Sequence, residues 1–184
     1  YTDPLFDAVS LDYQQIETAY QLSHHRPAKT TNLNYLDLIT YSSTIYRKLS
    51  RADKRLDSEM VNIIEERLSE EFDVEVDVGR LAYEKITDRK VYLPLYQRIL
   101  RRISPDVALT VVGYSKETFI EACTREGIPV VDLQHGFVGD YHIGYSFPKG
   151  ISKIHKPDYM FSFGPYWTDV VPMFNNDDVF NVGY

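Results

Sequence analysis

Residues 128–145, IPVVDLQHGFVGDYHIGY, join an apolar run to a polar turn that carries two histidines, a carboxylate and three glycines. An imidazole changes protonation near neutral pH, so it can give or take a proton, and a carboxylate beside it can orient the ring. His135, His142 and Asp140 are therefore the candidate acid–base group of the chain. Tyr145 could stack on or hydrogen-bond a ligand, or plug the turn into a core, and Gln134 could bond a ligand or satisfy buried backbone. Gly136 lets the chain turn beside His135 and gives a ligand access to the backbone. His135 has its own structural alternative, a hydrogen bond to a loop carbonyl that holds the turn together.

These side chains need a frame that brings them to one place. Residues 129–133 are rich in β-branched side chains and predict a strand, which puts Gln134 and His135 at its carboxyl end. In open α/β sheets ligands gather along that edge, where strand ends and helix amino termini converge. Upstream, Pro105 stops a helix, residues 107–112 (VALTVV) predict a strand, and Gly113 turns the chain. Ser115 can cap a helix over residues 116–125, which Gly127 ends. A strand, helix, strand unit of this length makes its two strands parallel. Gly113, Tyr114 and Ser115 then stand at the neighbouring strand end and border the same crevice. Residues 158–163 (DYMFSF) predict a third strand, residues 166–173 a short helix, and residues 179–182 a fourth strand. The expected fold class is α/β, a Rossmann-like parallel sheet preceded by a helical region.

The first half reads as helices. Residues 12–22 predict one, followed by a polar connection over residues 23–32 in which His24 and His25 are solvated rather than a metal pair. Leu33, Leu36, Ile39, Ser43 and Tyr46 recur at helical spacing, as do Met60, Ile63, Ile64 and Leu68, and both stripes predict core faces. Glu65, Glu66, Glu70 and Glu71 form a solvated acidic face. Residues 88–103 predict a further helix with Val91, Leu95, Ile99 and Ile103 on its apolar side, and Arg98, Arg101 and Arg102 complement its dipole. His155 and Lys156 fall in a loop expected to be solvated. The organisation expected is a mainly helical region over residues 1–104 packing on a Rossmann-like region over residues 105–184. A start at Tyr1 and a final strand without a closing element suggest one domain cut from a larger two-domain protein.

Composition narrows the function classes. A net charge of −7 argues against nonspecific nucleic-acid binding. The single cysteine, Cys123, provides neither a disulfide framework nor a cysteine-based metal site. No GxGxxG or GxxxxGK[ST] occurs, which disfavours dinucleotide and P-loop chemistry, and HExxH and GxSxG are missing as well. No Asp-x-Asp cluster calls for a metal. No run reaches the ~18 apolar residues of a membrane span, so a cytoplasmic location is expected. Fifteen tyrosines push mildly toward carbohydrate.

One ordered series of residues resembles a family. Glu126 through Gly136 (EGIPVVDLQHG), then Tyr141 through Tyr145 (YHIGY), then Pro157-Asp158-Tyr159 leading to Phe163-Gly164-Pro165-Tyr166-Trp167, is similar to surface-polysaccharide glycosyltransferases of the GT-B type. The resemblance covers roughly the last eighty-five residues closely and the first half only in general pattern. It implies one half of a GT-B fold, the amino-terminal side that presents the acceptor. A nucleotide-sugar would be the donor substrate, held mainly by a carboxyl-terminal half that this sequence lacks, with no resident cofactor and no metal. It assigns catalytic roles to His135, Asp140 and His142, and substrate contacts to Gln134, Gly136, Tyr145, Gly113, Tyr114 and Ser115. The partners implied are the nucleotide-sugar and a glycan acceptor, with peripheral association at the inner face of the membrane compatible. A related Trp-His-Gly turn in polyol-phosphate transferases leaves that activity as an alternative. A noncatalytic carbohydrate-binding domain and a sugar-nucleotide epimerase are the others.

Overall fold

The computed structural model describes residues 12–17, 33–49, 55–148 and 150–183. The chain divides between Thr87 and Asp88 into two compact units. In the first, strands β1 (Gln15–Glu17) and β2 (Leu33–Tyr35) pair in parallel, helices α1 (Asp37–Leu49) and α2 (Glu59–Phe72) follow, and helix α3 (Val78–Ile103) begins. Of the helix expected over residues 12–22, residues 12–14 are without secondary structure and residues 15–17 are strand. The backbone of residues 15–17 is taken by a ladder to residues 33–35, a nonlocal pairing that local spacing does not register. The rest of that segment, with the connection holding His24 and His25, lies outside the described residues. Leu33 and Leu36 precede α1, in which Ile39 and Ser43 are buried one turn apart and Tyr46 is exposed.

Helix α2 starts at Ser58, whose hydroxyl accepts from the Val61 amide at 3.3 Å. Its inward residue is Val61; Met60, Ile63 and Ile64 are exposed, which corrects the core face expected there. The rotation of the helix follows from a polar tie. Glu65, one turn after Val61, accepts from the Gly79 amide at 3.1 Å and from Arg55 at 2.8 Å, and so turns the Val61–Glu65 side inward. Arg55 and the Gly79 amide hold the Glu65 carboxyl below its usual range. Glu66, Glu70 and Glu71 are exposed.

The second unit holds a four-stranded, all-parallel sheet in the order β3 (Ala108–Val111), β4 (Val130–Leu133), β5 (Tyr159–Ser162), β6 (Val179–Asn181). Helix α4 (Glu117–Arg125) connects β3 to β4. This is an α/β, Rossmann-like sheet preceded by helices. Leu93 and Leu100 of α3 join Ile120, Ala122 and Cys123 of α4, with Ala108, Ile128 and Val130, in one buried cluster. The buried side of α3 is therefore the stripe through Leu93, Tyr96 and Leu100, whereas Val91, Leu95, Ile99 and Ile103 are partly exposed. Ion pairs set that rotation: Arg89 meets Glu121 of α4, and Arg101 donates to Glu126 at 2.8 Å. Arg101 thus serves a neighbouring helix end rather than only its own dipole.

Ser104 leaves α3 with φ 50°. At the end of α4, Ile128 N–H bonds the Cys123 carbonyl at 2.9 Å and Gly127 N–H the Thr124 carbonyl at 3.2 Å, a Schellman pair that requires the positive φ of Gly127, 71°. Ser115 does not cap α4: it ends a short 3-10 turn, Gly113–Ser115, and its hydroxyl donates back to the Val112 carbonyl at 3.0 Å. The helix expected over residues 166–173 is limited to a 3-10 turn, Pro165–Thr168. Pro172 supplies no N–H and its ring would clash one turn back, so the helix cannot propagate through it.

Candidate functional site

Strands β3 and β4 run in register from Ala108 opposite Val130 to Val111 opposite Leu133, so their carboxyl ends lie side by side. Just past β3, Val112 adopts the left-handed conformation (φ 63°, ψ 48°). For a β-branched residue this costs about 1–3 kcal/mol, and it turns the next amide back into the sheet. That amide belongs to Gly113 and donates to Asp132 Oδ1 at 3.0 Å. A side chain at Gly113 would stand 2.7 Å from Pro157 and 3.0 Å from the Asp132 carboxyl, so only glycine fits.

Asp132 is the organising residue that the sequence reading did not single out. Its carboxylate is fully buried in the middle of β4 and accepts three hydrogen bonds, from Gly113 N–H, from Thr110 Oγ1 at 3.2 Å, and from Tyr145 OH at 2.6 Å. Burial pushes its carboxyl above the ordinary range, while the donors, Tyr145 foremost, pull the other way. Burial and the facing carboxylate also push the Tyr145 hydroxyl up, which keeps the proton on Tyr145. A signal was present in the sequence: an aspartate inside the apolar run VVDL must find partners when the strand is buried.

The structure brings Tyr114, His135, His142 and Tyr145 together. The Tyr114 ring lies 5.2 Å from that of His142, 5.2 Å from that of Tyr145 and 6.2 Å from that of His135, between centroids. His142 and Tyr145 are 4.9 Å apart. Gly144 permits this approach, since a Cβ there would fall 2.4 Å from the Tyr114 ring. Tyr145 is fully buried and is the core plug of the turn, so its ring offers no face to a ligand.

His142 Nδ1 accepts the Gly144 amide at 3.2 Å, which leaves the proton of the neutral ring on Nε2. His135 is partly exposed, but its Nδ1 is buried and has no hydrogen-bond partner among the described residues. Either neutral tautomer leaves that nitrogen unsatisfied, at a cost of about 1–3 kcal/mol, so Nε2–H is one of two forms open to the ring. In that form His135 donates to a ligand, and in the other Nε2 can act as a base.

The other residues take different places. Gln134 is buried, with Oε1 accepting from Phe163 N–H at 2.8 Å and Nε2 donating to the Gly136 carbonyl at 2.9 Å; its amide group ties the ends of β4 and β5. Gly136 has open space where a side chain would stand, and Ser115 is exposed. Asp140 is exposed and makes no hydrogen bond or ion pair among the described residues, so it orients neither imidazole here. Lys153 bridges Glu117 at 2.7 Å and the Tyr114 carbonyl at 2.5 Å. Lys156 and His155 are not solvated as expected. Lys156 donates to the Met173 carbonyl at 2.5 Å over the Phe174 ring, and His155 stands 3.6 Å from buried Glu121, a carboxylate that also draws in Arg89 and Arg125.

Among the described residues no group of three or more His, Cys, Asp or Glu is placed to hold a metal, and no helix is long and apolar enough to cross a membrane. An open depression of about 380 Å³, lined by Glu65, Ser69, Glu75, Val76 and Asp77, lies in the first unit and shares no residue with the imidazole cluster. No protein-family model, no curated protein and no solved structure matches this chain.

Proposed function

We propose that this chain is the acceptor-side domain of a GT-B-type glycosyltransferase that moves a sugar from a nucleotide-sugar donor to a growing surface or capsular polysaccharide. One observation carries the reading: His135 of the Leu-Gln-His-Gly turn and His142 of the His-x-Gly-Tyr segment both pack against Tyr114, at the carboxyl ends of adjacent parallel strands. That edge is where α/β sheets collect ligands. Transfer needs an acceptor hydroxyl held in line with an anomeric carbon, and positioning of this kind is a large part of catalysis.

In this reading Nε2–H of His135 holds the acceptor oxygen, His142 packs on the same Tyr114 ring, and the fully buried Asp132 keeps both loops in place. The donor diphosphate belongs to a second domain, and the enzyme works at the cytoplasmic face of a membrane. One observation favours a second reading, noncatalytic glycan binding: among the described residues no carboxylate hydrogen-bonds either imidazole. The test is turnover of the two-domain polypeptide with His135→Ala. A loss on the order of 10²-fold is expected for removal of a positioned acid–base group. Wild-type turnover in that variant removes the catalytic role of His135, and glycan binding without turnover in the unsubstituted polypeptide leaves the binding reading.

A further inference from the structure

We infer that Phe137, Tyr166 and Trp167 form an aromatic platform for a carbohydrate chain, next to the imidazole cluster, since Trp167 and Tyr114 pack on the same buried core. The inference rests on the glycosyl-transfer reading and deepens it, because it gives the acceptor a surface to lie on. Phe137 follows the carboxyl end of β4, and Tyr166 and Trp167 follow that of β5, its hydrogen-bonded neighbour. The three rings meet edge to face. Phe137 and Trp167 are 5.5 Å apart at 81°, and Tyr166 and Trp167 are 5.1 Å apart at 84°. Phe137 is 73% exposed and Tyr166 65%, so large apolar ring area stands in water although the rings are already fixed against one another.

The backbone beside the rings is open too. Gly136, next to Phe137, and Gly164, two residues before Tyr166, have no atom within 4 Å of where a Cβ would stand, so a ligand can approach the chain at both strand ends. The geometry selects the ligand class. Rings set nearly at right angles leave no parallel slot to sandwich a nucleobase, but they leave single faces on which a pyranose can lay its C–H side. On the chain that follows Trp167, Asn176 donates to Asp169 at 3.3 Å, both exposed. Asp140 and Asp169 on these loops, in a chain of net charge −7, oppose an anionic bilayer as the occupant.

Trp167 is the only tryptophan, so its fluorescence reports this platform alone. The chain is titrated with maltohexaose, chitohexaose and a galacturonate hexamer. A saturable change in Trp167 emission with at least one of them is expected, weakened roughly three- to tenfold in Phe137→Ala and in Tyr166→Ala, as loss of an aromatic contact implies. Both substituted rings are exposed, and unchanged circular dichroism checks the fold. No saturable change with any of the three glycans, equal affinity in both aromatic variants, or a response to uridine diphosphate in place of glycan would overturn the assignment. Failure of the transfer reading looks different: no sugar transfer by the unsubstituted two-domain polypeptide, with the Trp167 response preserved.

Discussion

Tyr145→Phe removes one oxygen atom and leaves the ring contacts with Tyr114 and His142 in place, so it isolates the bond to Asp132. Both residues are fully buried, and no water can replace the lost donor without a rearrangement. Above the raised pKa of Asp132 the bond goes to a carboxylate and is worth about 1.5–3 kcal/mol; below it the bond is between neutral groups and is worth about 1 kcal/mol. The sign follows from linkage. A carboxyl whose pKa is raised on folding contributes stability that is complete below its ordinary value, 3.8, and is lost as pH rises through the raised value. Because the Tyr145 hydroxyl pulls that value down, its removal raises it further and widens the pH span over which stability is lost. The penalty of the variant must therefore grow with pH. Urea unfolding at pH 7.5 is expected to show a midpoint lower by about 1 M, taking 2 kcal/mol over a slope of about 2 kcal/mol/M, and at pH 4 by about half as much. Equal penalties at the two pH values would refute the assignment of Asp132 as a buried carboxylate at neutral pH. A loss below about 0.5 kcal/mol would refute the bond itself.

Two further substitutions and one chemical test follow from the same packing. Gly144→Ala places a Cβ 2.4 Å from the Tyr114 ring and is expected to cost about 1–3 kcal/mol by overpacking, read as a lower urea midpoint. Gly136→Ala meets nothing within 4 Å and is expected to change stability by less than about 0.5 kcal/mol, so equal effects of the two alanines would discredit the aromatic arrangement. Cys123 is fully buried, and burial pushes its thiol up to about 12. A disulfide exchange reagent at pH 8 should release no chromophore from the native chain and one equivalent in urea; rapid reaction without denaturant would contradict the core.

The sheet was legible because its strands are short β-branched runs punctuated by glycine and proline, signals that act within a few residues of one another. Val130 to Leu133 and the stop at Gly127 are of that kind, and Tyr159 to Ser162 is an aromatic run closed by Gly164 and Pro165. The helical half was less legible. Spacing shows that a helix has an apolar stripe but not what will cover it, so Met60 and Ile64 were read as core although Glu65 and Gly79 turn their helix the other way. Parallel pairing of residues 15–17 with 33–35 is likewise fixed between segments, not within either. At the candidate site, His135 and His142 were found by residue type and position. Asp132 was passed over as part of a strand, since its importance comes from three donors that reach it from β3, from the Gly113 turn and from Tyr145.

The connection between β4 and β5 explains why a buried polar network sits where it does. A parallel crossover usually carries a helix that supplies its own hydrogen bonds, as α4 does between β3 and β4, but among the described residues between Leu133 and Tyr159 there is no helix. A connection of that length without secondary structure must be ordered by side chains. Tyr145 anchors it to Asp132, Ser146 bonds the Gly139 carbonyl at 2.8 Å, Lys153 ties it to the start of α4, and Lys156 to the Met173 carbonyl. The imidazoles ride on this strapped loop, which frees His135 and His142 from any role in the ladder. Strand order adds a direction. Described strands β3 to β6 run one way without the reversal that opens a ligand crevice in doubly wound sheets. Among them the free edge of β3 is the place where a further parallel strand, reached by a crossover on the opposite face of the sheet, would create one. Val107 and Leu109 are exposed along that edge at 46% and 37%, and the Gly113–Ser115 turn with Tyr114 stands at its carboxyl end. A crevice formed there would have the Tyr114 and His135 side of the cluster as its wall.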